Sequence, residues 1–310
     1  MSIVDEDYEV SICANCGKGE EESHKLKACT ACKMVKYCNR ECQIAHRPQH
    51  KKECRKRAAE LHDIELFKQP PPADDCPICF LRMPLINSGS RYQSCCGKVI
   101  CSGCFHAPVY DREGNKVDDD KQNACAFCRV VAPKTDNEMM ARLNKRVEAN
   151  DSQAIYTLGC FYRNGEYGFE QDYTKALELY HQAAELGEAR AYGNIGAIYD
   201  NGQGVEVDQK KASHYYELSA IRGDVVARNN LGNREGRAYN IDRALKHFMI
   251  AVRDGHSESL KTIKEMYSDY GDATKEDYTK ALQSYQEYLG EIKSPQRDKA
   301  AAFSDEYRYY

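Results

Sequence analysis

Residues 37–54, YCNRECQIAHRPQHKKEC, carry a cysteine or histidine at every fourth position: Cys38, Cys42, His46, His50 and Cys54. The stretch is otherwise polar and basic, so it has little apolar surface to bury, and burial of such surface is what ordinarily holds a segment folded. Four Cys or His side chains around one metal ion can replace that core, because in such sites the binding energy is folding energy.

Upstream lie further pairs, Cys13-x2-Cys16 and Cys29-x2-Cys32. Together with Cys38-x3-Cys42 and His50-x3-Cys54 they supply eight donors, enough for two closed four-coordinate sites. A two-residue gap brings both sulfurs of a pair to one tetrahedral ion. A three-residue gap places both on one helical face, with the same result. Thiolate-rich tetrahedral sites suit Zn²⁺, and the spacings match no ferredoxin run. The spacing admits sequential or interleaved pairing. His46 lies four residues from both Cys42 and His50 and is an alternative donor. Pro48 is expected to disturb the helix here, which favours His50.

C-x2-C, C-x2-C, Tyr37-Cys38, Cys42-Gln43, His50-Lys51 and Cys54 resemble the MYND zinc finger over residues 13–54. The resemblance implies interleaving: Cys13, Cys16, Cys38 and Cys42 on one ion, and Cys29, Cys32, His50 and Cys54 on the other. It also implies binding of short proline-containing peptides. A tryptophan usual in that family three residues before the histidine is Arg47 here, and the chain has no tryptophan.

A second cysteine-rich block follows: Cys76-Pro-Ile-Cys79, Cys95-Cys96, Cys101-Ser-Gly-Cys104 and Cys125-Ala-Phe-Cys128. These are eight more candidate ligands, so four zinc ions are expected in all. Adjacent Cys95 and Cys96 reach one ion only through an unusual backbone, and His106 is the alternative to one of them. The block resembles a RING finger in an all-cysteine form. That resemblance implies Cys76, Cys79, Cys101 and Cys104 on one ion and Cys95, Cys96, Cys125 and Cys128 on the other. It further implies Ile78 as an apolar docking residue for a ubiquitin-conjugating enzyme and Arg129 as the cation that clamps ubiquitin. Such ligases act by positioning, without a nucleophile. The family's proline after the seventh ligand is Ala126 here.

From residue 151 the chain repeats itself. ALELYHQAAELG (176–187), ASHYYELSAIRG (212–223) and ALKHFMIAVRDG (244–255) align, each preceded by a segment carrying Gly159, Gly196 or Gly232. A fourth copy, near 260–290, is degenerate. Repeats of this period mean stacked helical hairpins. Ala176-Tyr180-Ala184, Ala212-Tyr216-Ala220 and Ala244-Phe248-Val252 each fall on one helical face. The glycines lie inside first helices, where close helix approach offsets their poor propensity. The pattern resembles Sel-one-like repeats, relatives of the tetratricopeptide repeat. Residues 136–150 imitate a second helix and are expected to cap the array. Cys160 is expected to be a packed thiol.

The expected architecture is multidomain: two small zinc-organised fingers with short helices and hairpins, then an all-α solenoid of helical hairpin repeats. The fingers occupy residues 1–57 and 76–130, joined by a linker at 58–75 that reads as a short helical pattern and then Pro70-Pro71-Pro72. A capping helix (131–150), the repeats (151–292) and a polar, frayed tail (293–310) complete the chain. The metal blocks and the helices are expected to be independent domains.

The net charge of −4 leaves no global nucleic-acid or membrane footprint. From Lys25 to Arg57, eleven Lys/Arg face two Glu, and excess thiolate charge nearby gives that excess a structural reading. No run of about 18 apolar residues is present. The acidic start MSIVDEDYEV lacks a secretory signal's apolar segment. Sixteen cysteines, fifteen of them before residue 129, point to metal in a reducing intracellular compartment, cytoplasmic or nuclear. The ligand sets look saturated, which argues against a catalytic zinc site. The expected function is a zinc-dependent adaptor whose fingers and array bind partner proteins. The alternative is a RING-type ubiquitin ligase whose array selects substrate.

Overall fold

The computed structural model describes residues 11–20, 25–71, 73–84, 89–107 and 123–309. The acidic start, Pro72 of the linker and most of the loop between His106 and Ala124 lie outside the described residues. The chain forms two compact units, Met1–Lys68 and Gln69–Tyr310.

The first unit has little regular structure before residue 40. Strands β1 (Lys27–Ala28) and β2 (Lys36–Tyr37) form a short antiparallel ladder. Helix α1 (Arg40–Leu66) follows, with the Asn39 side chain accepting from the Cys42 amide at its start. One expectation is corrected here. The helix runs through Pro48, although proline in a helix interior removes a hydrogen bond and costs about 3 kcal/mol. It also runs past residue 57 to Leu66, taking in the short helical pattern that opens the 58–75 stretch. Candidate metal ligands lie on both sides of Pro48, at Cys42 and at His50 and Cys54, and tie both halves of the helix to the same small unit. The core of this unit is Cys13, Leu26, Cys29, Cys32 and Tyr37. Three of those five are candidate ligands, as expected of a fold in which metal stands in for apolar burial.

The second unit opens with the second cysteine-rich block. Strands β3 (Ser90–Gln93) and β4 (Lys98–Cys101) form an antiparallel hairpin, followed by the short helix α2 (Ser102–His106). Then come α3 (Asp136–Glu148) and four helical hairpins: α4 (Ser152–Asn164) with α5 (Tyr173–Glu185), α6 (Ala189–Asn201) with α7 (Gln209–Ile221), α8 (Val225–Arg237) with α9 (Ile241–Arg253), and α10 (Ser257–Glu265) with α11 (Lys275–Ile292). A π-turn, Met266–Tyr270, interrupts the degenerate fourth unit. Helix α12 (Pro295–Phe303) and a 3-10 turn end the chain.

The repeat spacing has a packing cause. Ala176, Tyr180, Ala212, Tyr216, Ala244 and Phe248 are all buried. A Cβ on Gly159 or Gly196 would lie 2.8 Å from the Tyr180 or Tyr216 ring, and one on Gly232 would lie 2.5 Å from that of Phe248. Each first-helix glycine is the seat for the aromatic side chain of its own second helix. Helix α3 packs Met139, Leu143 and Val147 against Ala154 and Phe161 of α4, as a cap would. The Tyr180 hydroxyl donates to the Cys160 sulfur at 3.4 Å, and burial pushes that thiol's pKa up.

The second block is not an independent domain, and the tail is not frayed. The Tyr92 hydroxyl of β3 donates to Asp151, the N-cap of α4, at 2.9 Å. Arg146 of α3 donates to the Cys95 carbonyl at 2.9 Å. At the other end of the array, Arg82 pairs with Asp254, beyond α9, and with Glu291 of α11, and lies over the Tyr288 ring. Helix α12 packs on α2, with Arg297 and Tyr309 fully buried. The block therefore touches the array at its first hairpin and at its last.

Candidate metal centres and the groove beside them

Four pairs share one backbone turn. In each Cys-x2-Cys pair at residues 13, 29, 76 and 125, the amide four residues after the first cysteine bonds back to that cysteine's carbonyl. The bonds are Gly17 to Cys13, Lys33 to Cys29, Phe80 to Cys76 and Arg129 to Cys125, at 2.8–3.0 Å. In each, the first cysteine's own amide reaches a carbonyl just beyond the turn, on Lys18, Val35, Leu81 or Val130. The fourth residue after the first cysteine has positive φ throughout: 71° at Gly17, 59° at Lys33, 56° at Phe80 and 64° at Arg129. For the three non-glycine residues this costs about 1–2 kcal/mol each. Strain of this kind persists only where the surroundings impose it. The shared feature is a pair of sulfurs aimed at one point.

The remaining donors come from other elements. Cys38 precedes α1, while Cys42, His50 and Cys54 are on it. Cys101 and Cys104 flank the start of α2. Cys95 and Cys96 occupy the turn between β3 and β4, where the Cys96 and Gly97 amides both bond to the Gln93 carbonyl. That tight turn is how neighbouring side chains come to face one common point.

These elements bring sixteen donors into four groups of four, with the donor atoms in each group within 4.8 Å of one another. The groups are Cys13, Cys16, Cys38 and Cys42; Cys29, Cys32, His50 and Cys54; Cys76, Cys79, Cys101 and Cys104; and Cys95, Cys96, Cys125 and Cys128. In both blocks the arrangement is interleaved. Sγ–Sγ separations are 3.7 Å for Cys16–Cys38, 3.4 Å for Cys38–Cys42, 3.7 Å for Cys29–Cys54, 3.8 Å for Cys79–Cys101 and 3.9 Å for Cys96–Cys125. A tetrahedron with metal–sulfur bonds of about 2.3 Å has edges of about 3.8 Å. A disulfide needs about 2.05 Å. The donor geometry therefore fits a tetrahedral metal.

His50 Nε2 lies 3.2 Å from Cys32 Sγ. His46 stands outside the group: its Nδ1 is 3.0 Å from the Tyr37 hydroxyl and its ring stacks on His50. His106 is outside as well, buried against the Phe303 and Tyr307 rings.

Thiol acidity splits within each group. The Cys16 amide leads in drawing Cys13 down to about 6, while hydrogen bonding with Cys42 leads in pushing Cys38 up to about 12. Burial opposes ionisation of Cys29, but the Cys32 amide and His50 outweigh it and the thiol falls to about 6; burial pushes Cys54 up to about 11. Hydrogen bonds from the Cys101 and Cys104 thiols hold Cys76 far below the usual range, and Cys104 is driven far above it. One thiolate forms readily in each of these groups. Further thiolates crowd against the first until a cation offsets them.

The predicted partner-binding residues have different surroundings. Ile78 is half-buried against the metal-block core of Cys76, Met83, Ile100, Cys101 and Cys104. Arg129 is the positive-φ residue of its turn. Sequence reasoning missed Arg297, because polarity marked its segment as frayed. The readable signal was Ser294-Pro295, a helix start with proline at the first position.

A groove of about 1050 Å³ runs between the second block and the first helices of the repeats. Arg163, Arg190, Asn194 and Asn230 line one side, and Asp75 and Lys98 the other. Asn194 accepts from Arg163 at 3.5 Å and donates to the Tyr156 hydroxyl at 3.3 Å, linking neighbouring repeats. Arg190 lies over the Tyr156 ring and pairs with Glu188. Among the described residues no helix is long and apolar enough to cross a membrane.

Comparison with known proteins matches this division. Residues 13–54 match the MYND finger, and residues 152–188 and 189–224 each match the Sel1 repeat. No RING family matches. The chain is 32% identical over 114 residues to the ERAD-associated E3 ubiquitin-protein ligase component HRD3A of Arabidopsis thaliana, covering 35% of this chain and 16% of that protein. It is 26% identical over 142 residues to chitin synthase regulatory factor 4 of Schizosaccharomyces pombe, covering 46% of this chain and 22% of that one. A crystal structure of a Sel1 repeat protein from Oxalobacter formigenes is similar at a TM-score of 0.46 and 29% identity, covering 51% of this chain and 66% of that one.

Proposed function

We propose that this chain is a zinc-organised adaptor: a MYND finger and a Sel1 array, with a second metal block fastened to the array, that bind partner proteins. The observation that carries the reading is the groove along the repeats. It is open and lined by charged and amide side chains from several repeats, which suits an extended polypeptide better than a small molecule. The similarity to proteins named as a ubiquitin-protein ligase component and as a chitin synthase regulatory factor agrees with it.

Zinc is the metal proposed for all four sites, held by Cys13, Cys16, Cys38 and Cys42, by Cys29, Cys32, His50 and Cys54, by Cys76, Cys79, Cys101 and Cys104, and by Cys95, Cys96, Cys125 and Cys128. Three sites offer four thiols and one offers three thiols and an imidazole, both usual donor sets for structural zinc. Each set fills a tetrahedron, leaving no position for a reacting water. Such sites require reduced thiols, so a reducing intracellular compartment is part of the proposal.

A second reading, a RING-type ubiquitin ligase, draws on the interleaved pairing in the second block. Against it, Ile78 is half-buried in the block's core, and Arg129 has a conformational role in its own turn. Incubating the protein with activating enzyme, a panel of conjugating enzymes, ubiquitin and ATP tests the choice. The adaptor reading expects no chain formation. Chain formation lost on Ile78→Ala would replace it with the ligase reading. The adaptor reading is tested directly by cross-linking through a photoreactive residue at Asn194: partner adducts should form and disappear when Arg163→Glu alters the groove's charge. Adducts indifferent to that change would place the partner elsewhere.

A further inference from the structure

Arg297 is fully buried. One terminal nitrogen donates to the carbonyls of Arg82 at 2.9 Å and Ile292 at 2.7 Å. The other donates to the Leu81 carbonyl at 3.4 Å and reaches the Cys79 sulfur at 3.8 Å. Among the described residues no carboxylate pairs with it. An uncompensated buried charge costs several kcal/mol, and a guanidinium does not escape that cost by losing its proton. The anion in reach is sulfur, because Cys79 belongs to a group of four thiols. Four thiolates on a divalent ion leave two surplus negative charges, so cation and site each supply what the other lacks.

The approach is close at the backbone too. A Cβ on Gly103, between the ligands Cys101 and Cys104, would lie 2.9 Å from the Arg297 amide nitrogen and 3.1 Å from its Cα. The Gln296 side-chain oxygen lies 4.0 Å from the Cys104 sulfur. Among the described residues the neighbouring site has no equivalent: Arg146 reaches the carbonyl of Cys95 and not its sulfur.

We propose that Arg297 is an outer-sphere partner of the metal held by Cys76, Cys79, Cys101 and Cys104, offsetting its thiolate charge and thereby fastening the C-terminal helix to the second metal block. This rests on the metal reading of that block. It makes Arg297 a positioning residue for the ion and makes ion retention depend on a helix that follows the whole array.

Cadmium-113 exchanged for zinc in the full chain gives one resonance per site. Arg297→Met is expected to move one of four resonances and to hasten loss of one ion to a chelator by about 10- to 100-fold, the usual effect of removing an outer-shell partner. The other three ions should be released at the wild-type rate. Arg297→Gln keeps hydrogen-bond donors without charge and carries the same expectation, so it serves if the methionine variant does not fold. Arg297→Lys should recover part of the retention. Tyr309→Ala removes a buried ring of the same segment and should leave the resonances in place. Wild-type shifts and release rates in both Arg297→Met and Arg297→Gln would overturn the proposal. So would an identical shift and acceleration in Tyr309→Ala, which would reduce Arg297 to packing. Fewer than four ions in the wild-type chain, with the second block empty, would instead overturn the metal reading beneath it.

Discussion

Single residues show where the chain is under constraint. Lys33, Phe80 and Arg129 hold a left-handed conformation that glycine adopts without penalty, as Gly17 does in the equivalent turn. Lys33→Gly should therefore raise stability by about 0.5–1 kcal/mol, the relieved strain less the entropy that glycine adds to the unfolded chain. Thermal or denaturant unfolding with metal bound checks it, and a loss of stability would mean the turn depends on the lysine side chain. Gly196 is constrained by contact. Gly196→Ala places a methyl 2.8 Å from the Tyr216 ring, and overpacking of this kind costs about 1–3 kcal/mol. The same change at Gly19, where a Cβ would meet nothing within 4 Å, should cost far less in the same unfolding assay.

At the scale of elements, the repeats were legible because their signals are local. An alanine, aromatic, small-residue spacing names a helix face, and a glycine 16 to 21 residues before the aromatic marks the partner helix. The donor sets were legible for a similar reason: the Cys-x2-Cys turns are complete within six or seven residues, and the four sets together take in fifteen of sixteen cysteines. The pairing of distant donors came only from the family resemblance, since spacing alone left interleaved and sequential arrangements open. Helix α1 departs from the expectation at Pro48 because propensity is a local rule, and here candidate ligands on both sides of the proline override it. The last segment was misread because polar composition hides a buried arginine. Removing residues 293–310 should therefore be costly. It exposes α2 and Gly103, and the melting temperature of the second unit should fall by at least about 4 °C. A truncated chain that melts like the intact one would restore the frayed tail.

The whole molecule departs most from a string of independent modules. Arg82 reaches Asp254 and Glu291, 172 and 209 residues away in sequence, and contacts so remote leave no local pattern to read. The second block, held at Tyr92 and Arg146 on one side and at Arg82 and Arg297 on the other, closes the groove against the first helices of the repeats. Stripping metal should consequently destabilise the helices and not only the fingers. Far-ultraviolet circular dichroism should show the helical transition moving to lower temperature with a strong chelator, where independent domains would leave it in place.

Coordination, in place of an oily core, is the central claim for residues 11–128. It is tested most directly by native mass spectrometry of the intact reduced chain. The account predicts a mass excess of four zinc ions with the protons of the bound thiols displaced. Two ions would leave one block without its organising metal. No bound ions, with the chain at its metal-free reduced mass and every thiol proton retained, would contradict the account outright.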